Sequence, residues 1–285
     1  MSITLKYLRE QVREAIGMPA KQSKVRRLNF CEWVEAANPW IEPELWAACE
    51  FDEKLDSLID RLKGATCYGG LDLSGKNDLT ALTLVFPQDD GRFIALTWFW
   101  TPNDTILIRE DRDRVPYATW RDQGFLEATP GRSIDYAFVA KKIGDAAALF
   151  ALQELAYDRY RIDDLIRELG EAGIECHKDG EKGFGLRLVP HGQGFVDMAP
   201  AVDALETAVL NGQLAVHKNP VMTMCAANAV LTQDAAGNRK FDKRPGKSSG
   251  RIDGVVSLAM AMRRAAAAIV GVGPSVYETR GILMV

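Results

Sequence analysis

The sequence predicts a mixed α/β fold, one central sheet flanked by helices, and three observations lead there. Thr66 to Thr101 reads as three strands joined by short turns, an antiparallel meander. From Ile134 onward, helical spacing alternates with short extended segments, the pattern of a sheet with crossover helices rather than of a sandwich. The chain has 285 residues, 47% of them hydrophobic, which is enough for a sizeable core.

Taken in order, Tyr7 to Ile16 and Pro43 to Leu62 have apolar residues at helical spacing, the second through Leu45, Trp46, Ala48, Phe51, Leu55, Ile59 and Leu62. An irregular aromatic stretch, Phe30 to Trp40, separates them, so residues 1–63 read as a helical arm leading into a domain over 64–272 and a tail over 273–285. The first strand, Thr66 to Leu73, is short, apolar and Gly-bearing. Ser74 to Asn77 supplies the Gly and Asn of a tight reversal, and Leu79 to Phe86 returns as the second strand. Phe93 to Thr101 is the third, with Trp98 and Trp100 on one face. Pro102 to Gln123 is a polar, broken helix with Pro116 at a boundary, and Phe125 to Thr129 is an extra extended piece. Ile134 to Phe150 suits a crossover helix, Ala151 to Tyr157 the next strand, Ile162 to Ala172 a helix ending near Gly173, and Ile174 to His177 a short strand. Val196 to Leu210 is an amphipathic helix, Gln213 to His217 a brief strand and Pro220 to Leu231 another helix; the last helix runs from near Arg251 to about Val270.

Composition narrows the function. Five cysteines, odd in number, widely spaced and without a CxxC, argue against a disulfide framework or zinc cluster and fit a reducing cytoplasm. Met1 to Gln11 lacks the apolar run of a signal peptide, and Gly254 to Val272 holds Arg263 and Arg264 in its middle, so it reads as a buried helix rather than a membrane span. A net charge of −4 and a pI near 5.6 argue against coating nucleic acid through bulk charge. One patch departs from this: Arg239 to Arg251 holds six basic residues and one acidic residue. Its Pro, Gly and Ser content makes it a loop or hairpin tip, either a solvated turn or a phosphate contact.

Three carboxylates fall at element ends. Asp72 closes the first strand, where an ionised group among apolar residues is costly unless a cation or donors meet it. It is an ordinary turn aspartate or part of a site whose partner is a metal, a basic side chain or water. Asp158 follows the strand ending at Tyr157. Asp253 lies in the first turn of the last helix, where the helix dipole favours a carboxylate, so a structural cap is an alternative. His177, His191 and His217 sit on unrelated segments without metal spacing.

In order, Gly-Leu-Asp72-Leu-Ser-Gly-Lys-Asn-Asp78-Leu-Thr-Ala-Leu, Tyr157-Asp158-Arg159-Tyr160 and Arg251-Ile-Asp253-Gly-Val-Val-Ser-Leu-Ala-Met-Ala resemble the C-terminal nuclease domain of the large terminase subunit of tailed bacteriophages. Ile134-Asp135-Tyr136, Gly192-Gln-Gly-Phe195 and Ser275-Val-Tyr-Glu-Thr-Arg-Gly281 support the likeness, which covers about residues 64–281; the arm resembles the segment that joins this domain to the packaging ATPase. Each motif alone is weak; their order and their places on strand, strand and helix make the set specific. The resemblance implies an RNase H-like fold and a metal-dependent endonuclease that cuts concatemeric double-stranded DNA when packaging begins and ends. It implies that Asp72, Asp158 and Asp253 converge on two Mg²⁺ or Mn²⁺ ions, with Asp72 bridging both. Such ions generate the attacking hydroxide and stabilise the leaving oxygen, and hard cations select carboxylate oxygens. Asp78 matches an additional acidic position that would tune a metal, bind a water or cap the hairpin. Asp135 is expected to cap its helix. The basic segment immediately precedes Asp253, which makes Lys243, Arg244, Lys247 and Arg251 candidate DNA contacts.

The chain departs from a whole large terminase in lacking a Walker motif. Gly246-Lys247-Ser248 imitates the end of one, yet Phe241 stands where its first Gly belongs, so no ATP hydrolysis is expected from this chain alone. The implied partners are double-stranded DNA, the ATPase domain, the small terminase subunit and the portal protein, in the cytoplasm of an infected bacterium, with no membrane and with the isolated domain a monomer. Two other classes compete: a catalytically silent domain that docks on portal or DNA, and an actin-like-fold sugar kinase, for which a second Gly-rich phosphate hairpin and a second lobe are missing.

Overall fold

The computed structural model describes residues 4–18, 21, 25, 39–75, 78–243 and 250–271. Most of the aromatic stretch before Trp40, the turn residues Lys76 and Asn77, the candidate DNA contacts Arg244 and Lys247, and the tail with its Ser275 to Gly281 motif lie outside these.

The helices are α1 (Leu5–Gly17), α2 (Pro43–Cys49), α3 (Leu55–Leu62), α4 (Ile106–Asp113), α5 (Tyr117–Asp122), α6 (Tyr136–Leu149), α7 (Ile162–Glu171), α8 (Phe195–Leu210), α9 (Pro220–Asn228) and α10 (Asp253–Gly271). The strands are β1 (Glu50–Phe51), β2 (Thr66–Asp72), β3 (Thr80–Pro87), β4 (Phe93–Pro102), β5 (Glu127–Thr129), β6 (Ala151–Tyr157), β7 (Cys176–Lys178), β8 (Leu186–Pro190), β9 (Leu214–His217), β10 (Ala229–Gln233) and β11 (Arg239–Lys243). Among the described residues β1–β9 form one sheet in the order β1-β9-β4-β3-β2-β6-β8-β7, with β5 beside β4, and β10 and β11 form a separate antiparallel hairpin. The meander β2-β3-β4 is antiparallel, while β6, β8 and β7 extend it from β2 in parallel. An antiparallel triplet continued by parallel strands on the free edge of its first strand is the RNase H-like arrangement.

Alternation along β3 shows why the sheet is covered twice. Leu82, Leu84 and Phe86 point into a core with α3, α6 and α7, whereas Ala81 and Val85 point into a second core with α2, α8, α9 and α10. The last helix lies on β2 and β3 and is buried almost all round through Val255, Val256, Leu258, Ala259, Met260, Ala261 and Met262. Among the described residues, no helix is long and apolar enough to cross a membrane. The helix comes close to β2 at Gly70, where a Cβ would overlap the Ser257 carbonyl oxygen and stand 2.7 Å from the Ala261 nitrogen.

The structure corrects four element readings. The helical reading of Pro43 to Leu62 breaks at Glu50–Phe51, which pairs in parallel with Val216 and His217 and brings the segment into the sheet. Helix α9 stops at Asn228 rather than Leu231, because Ala229 begins the hairpin; there the Trp40 N–H donates to the Ala229 carbonyl oxygen at 2.9 Å. Arg239–Lys243, read as loop or hairpin tip, is the second strand of that hairpin. Strand β8 went unread, although it fills the slot between β6 and β7.

Candidate active site

Strand register brings the first two carboxylates together. Leu71 pairs with Tyr157 across the parallel β2 and β6, so Asp72 and Asp158 leave the same end of adjacent strands, and the Asp158 N–H donates to the Leu71 carbonyl oxygen at 3.4 Å. Asp253 arrives from the other side, as the first residue of the helix packed on β2. All three, with Asp78, line one cavity of about 720 Å³ together with Ser74, Tyr160, Arg161, Gln193 and Lys243.

Asp72 and Asp253 are 8% and 6% exposed. Burial, then the neighbouring Asp253 and Asp158, push the Asp72 carboxyl well above the usual range, against a hydrogen bond from Gln193 Nε2 to its Oδ1 at 3.2 Å. Burial, then Asp78, push Asp253 up to about 6. The Asp253 Oδ2 is buried with no hydrogen-bond partner. An orphaned carboxylate oxygen in an acidic cavity, with oxygen donors only, fits a hard divalent cation. Among the described residues no three acidic, His or Cys groups are already gathered at ligating distance, so the carboxylates surround the cavity rather than meet within it.

Asp78 and Arg251 behave differently from their sequence reading. Lys243 Nζ donates to Asp78 Oδ1 at 2.9 Å, and Arg251 Nη1 donates to the same oxygen. Although burial works the other way, these two cations hold the Asp78 carboxyl below its ordinary value. Arg251 is 3% exposed and its Nη2 meets Asp113 Oδ2 at 2.8 Å. A guanidinium enclosed by two carboxylates has no face to offer a phosphate, so the reading of Arg251 as a DNA contact is corrected: it ties the β2–β3 turn, the end of α4 and the approach to α10. Lys243 lines the cavity but shares its charge with Asp78.

Ser74 and Gly75, which follow Asp72 and Leu73, are held from the start of α6. The Ser74 carbonyl oxygen accepts from the Tyr136 hydroxyl at 2.8 Å, and the Ile134 N–H donates to the Gly75 carbonyl oxygen at 3.0 Å, while Asp135 caps α6 through the Ala137 N–H as expected. Sequence reasoning did not single out Gln193, Arg161 or Asp113. The Gly192-Gln-Gly-Phe195 motif was the available signal for the first; nothing local marked the other two.

The terminase large subunit endonuclease domain model matches residues 1–268. The chain belongs to that family. It is 40% identical over 257 residues to the terminase large subunit of Enterobacteria phage HK97, covering 90% of this chain and 47% of the relative. It is 26% identical over 252 residues to the protein YmfN of Escherichia coli K12, covering 85% and 51%. The crystal structure of the HK97 large terminase superposes with a TM-score of 0.68 at 39% identity, over 92% of this chain and 51% of that one. This terminase nuclease domain thus spans about half the length of the curated relatives it matches.

Proposed function

We propose that this domain is the metal-dependent endonuclease of a phage DNA-packaging terminase, hydrolysing phosphodiesters of concatemeric double-stranded DNA at the start and end of packaging. The observation that carries the reading is the convergence of Asp72, Asp158 and Asp253, from two strands and a helix, on one cavity with an unpartnered carboxylate oxygen. Two Mg²⁺ or Mn²⁺ ions held there would lower the pKa of the attacking water and stabilise the leaving oxygen. The charges of both Asp253 and Asp158 act on Asp72, so it would hold metal beside either of them. Gln193 holds one Asp72 oxygen and leaves the second to the cavity. Asp78, neutralised by Lys243 and Arg251, steadies the site rather than ligates.

In this reading residues 1–63 lead toward an ATPase domain. That domain, the small terminase subunit and the portal protein supply the site choice that a nuclease domain lacks, in the cytoplasm of the infected host. Titration with Mn²⁺ followed by electron paramagnetic resonance tests the metal site. Two bound ions in the wild type, with binding weakened in Asp72→Asn, are expected. A wild type that binds no Mn²⁺ would leave only a docking role.

A further inference from the structure

We propose that Arg161, with the Tyr160 ring beside it, contacts the phosphate backbone of DNA at the rim of the acidic cavity; the proposal deepens the nuclease reading and rests on it. Both residues line the cavity, three and two positions after Asp158. With Asp78 balanced by Lys243 and Arg251, the carboxylates of Asp72, Asp158 and Asp253 still disfavour a polyanion, so a cation at the rim helps the entering strand. The cations of this region are not equivalent. Arg251 is enclosed by two carboxylates; Lys243 and Arg161 are each paired with one, Asp78 and Asp164, and of these two Arg161 is the more exposed, 41% against 32% as side chains.

Its geometry is prepared. Arg161 has φ 53° and ψ 21°, a left-handed conformation that among the described residues only one other non-glycine residue, Arg114, adopts. It stands at the N-cap of α7 without making a side-chain cap bond, a place where Asn, Asp, Ser or Gly would cost the fold less. The guanidinium is braced: Nε donates to Asp164 Oδ2 at 2.9 Å, and Cζ lies 5.7 Å from the centre of the Tyr136 ring. Asp164 takes the Nε–H and Tyr136 lies beside the guanidinium, and with 41% of the side chain exposed the remaining N–H groups can meet a phosphate oxygen. Nη1 and the Tyr160 hydroxyl converge over Gly75, 3.1 and 3.2 Å from where a Cβ would stand, so any larger residue there would crowd both donors. Tyr160 itself is 53% exposed, a large aromatic at the mouth of a polar cleft.

The test measures binding without cleavage. Fluorescence anisotropy of a labelled duplex in EDTA, over a salt series, should show Arg161→Gln binding about tenfold more weakly at low salt. Its plot of log affinity against log salt should be shallower by about 1, the signature of one lost phosphate contact. Arg161→Lys should keep most of the slope, and Arg167→Gln, on the same helix but away from the cavity, should match the wild type, as should Mn²⁺ binding by Arg161→Gln. If Arg161→Gln melts early, Arg161→Asn, which tolerates the left-handed backbone, carries the same measurement. Wild-type affinity and slope in the folded variant would overturn the contact alone, even if the melting temperature fell. A wild type that binds no duplex would overturn the nuclease reading with it.

Discussion

Replacing Arg251 by methionine tests the ionic junction behind the site. Arg251 and Asp113 are 3% and 1% exposed as side chains and meet at 2.8 Å, with Nε at 3.1 Å from the same oxygen. Removing one member of such a buried pair leaves an uncompensated charge, at a cost of about 3–5 kcal/mol. Two contacts soften this: Arg112 Nε stays on Asp113 Oδ1 at 2.7 Å, and the Tyr117 hydroxyl donates to Asp113 Oδ2 at 3.1 Å. Asp78, 37% exposed and still held by Lys243, adds little. The expected loss is therefore about 3 kcal/mol. Adding Asp113→Leu removes the stranded carboxylate and should restore stability to within about 1–2 kcal/mol of the wild type, because an apolar pair often replaces a buried ion pair without cost. Urea denaturation reads both, as a shift in midpoint at constant slope. A loss under about 1 kcal/mol in Arg251→Met, or a double variant that loses the sum of the two single ones, would show that Arg251 and Asp113 are not a coupled buried pair.

Three further outcomes are expected. Asp253 has a folded pKa of about 6, above its unfolded value, so between the two the folded state binds more protons and stability falls as pH rises through that window. In metal-free protein Asp253→Asn should raise stability at pH 7 by about 2 kcal/mol and flatten its pH dependence, which thermal melts at pH 4.5 and 7 will read. Gly70→Ala places a methyl against the backbone of α10 at Ser257 and Ala261, neither of which can rotate away, and should cost about 3 kcal/mol in chemical denaturation or prevent folding. Gln193→Ala removes the hydrogen bond that orients Asp72 and should weaken Mn²⁺ binding by about 10- to 100-fold with little change in melting temperature.

The strands β2, β3, β4 and β6 were legible because apolar runs bounded by Gly, Asn or Pro leave little choice, and Asp72 and Asp158 follow from where those runs stop. Strand β8 was hidden because Leu186-Arg-Leu-Val-Pro190 has only five residues, begins after a left-handed Gly185 and ends at Pro; its burial comes from neighbours rather than from its own pattern. The Glu50–Phe51 strand has two residues and exists only because β9 offers an edge. Basic composition made Arg251 look like a phosphate contact. Its partners Asp78 and Asp113 are 173 and 138 residues away, a separation at which no local spacing speaks. Arg161 was unread for a different reason: its left-handed backbone leaves no trace in the identity of an arginine.

If carboxylates from β2, the end of β6 and the start of α10 act together on DNA, removing any one of them abolishes cleavage. Conversion of supercoiled plasmid by the purified chain in Mg²⁺, Mn²⁺ or EDTA tests it most directly, beside folded Asp72→Asn, Asp158→Asn and Asp253→Asn variants. Nicked and linear product is expected only with metal, with a loss of at least about 10²-fold in rate for each variant. Metal-dependent cleavage that survives all three substitutions would contradict it.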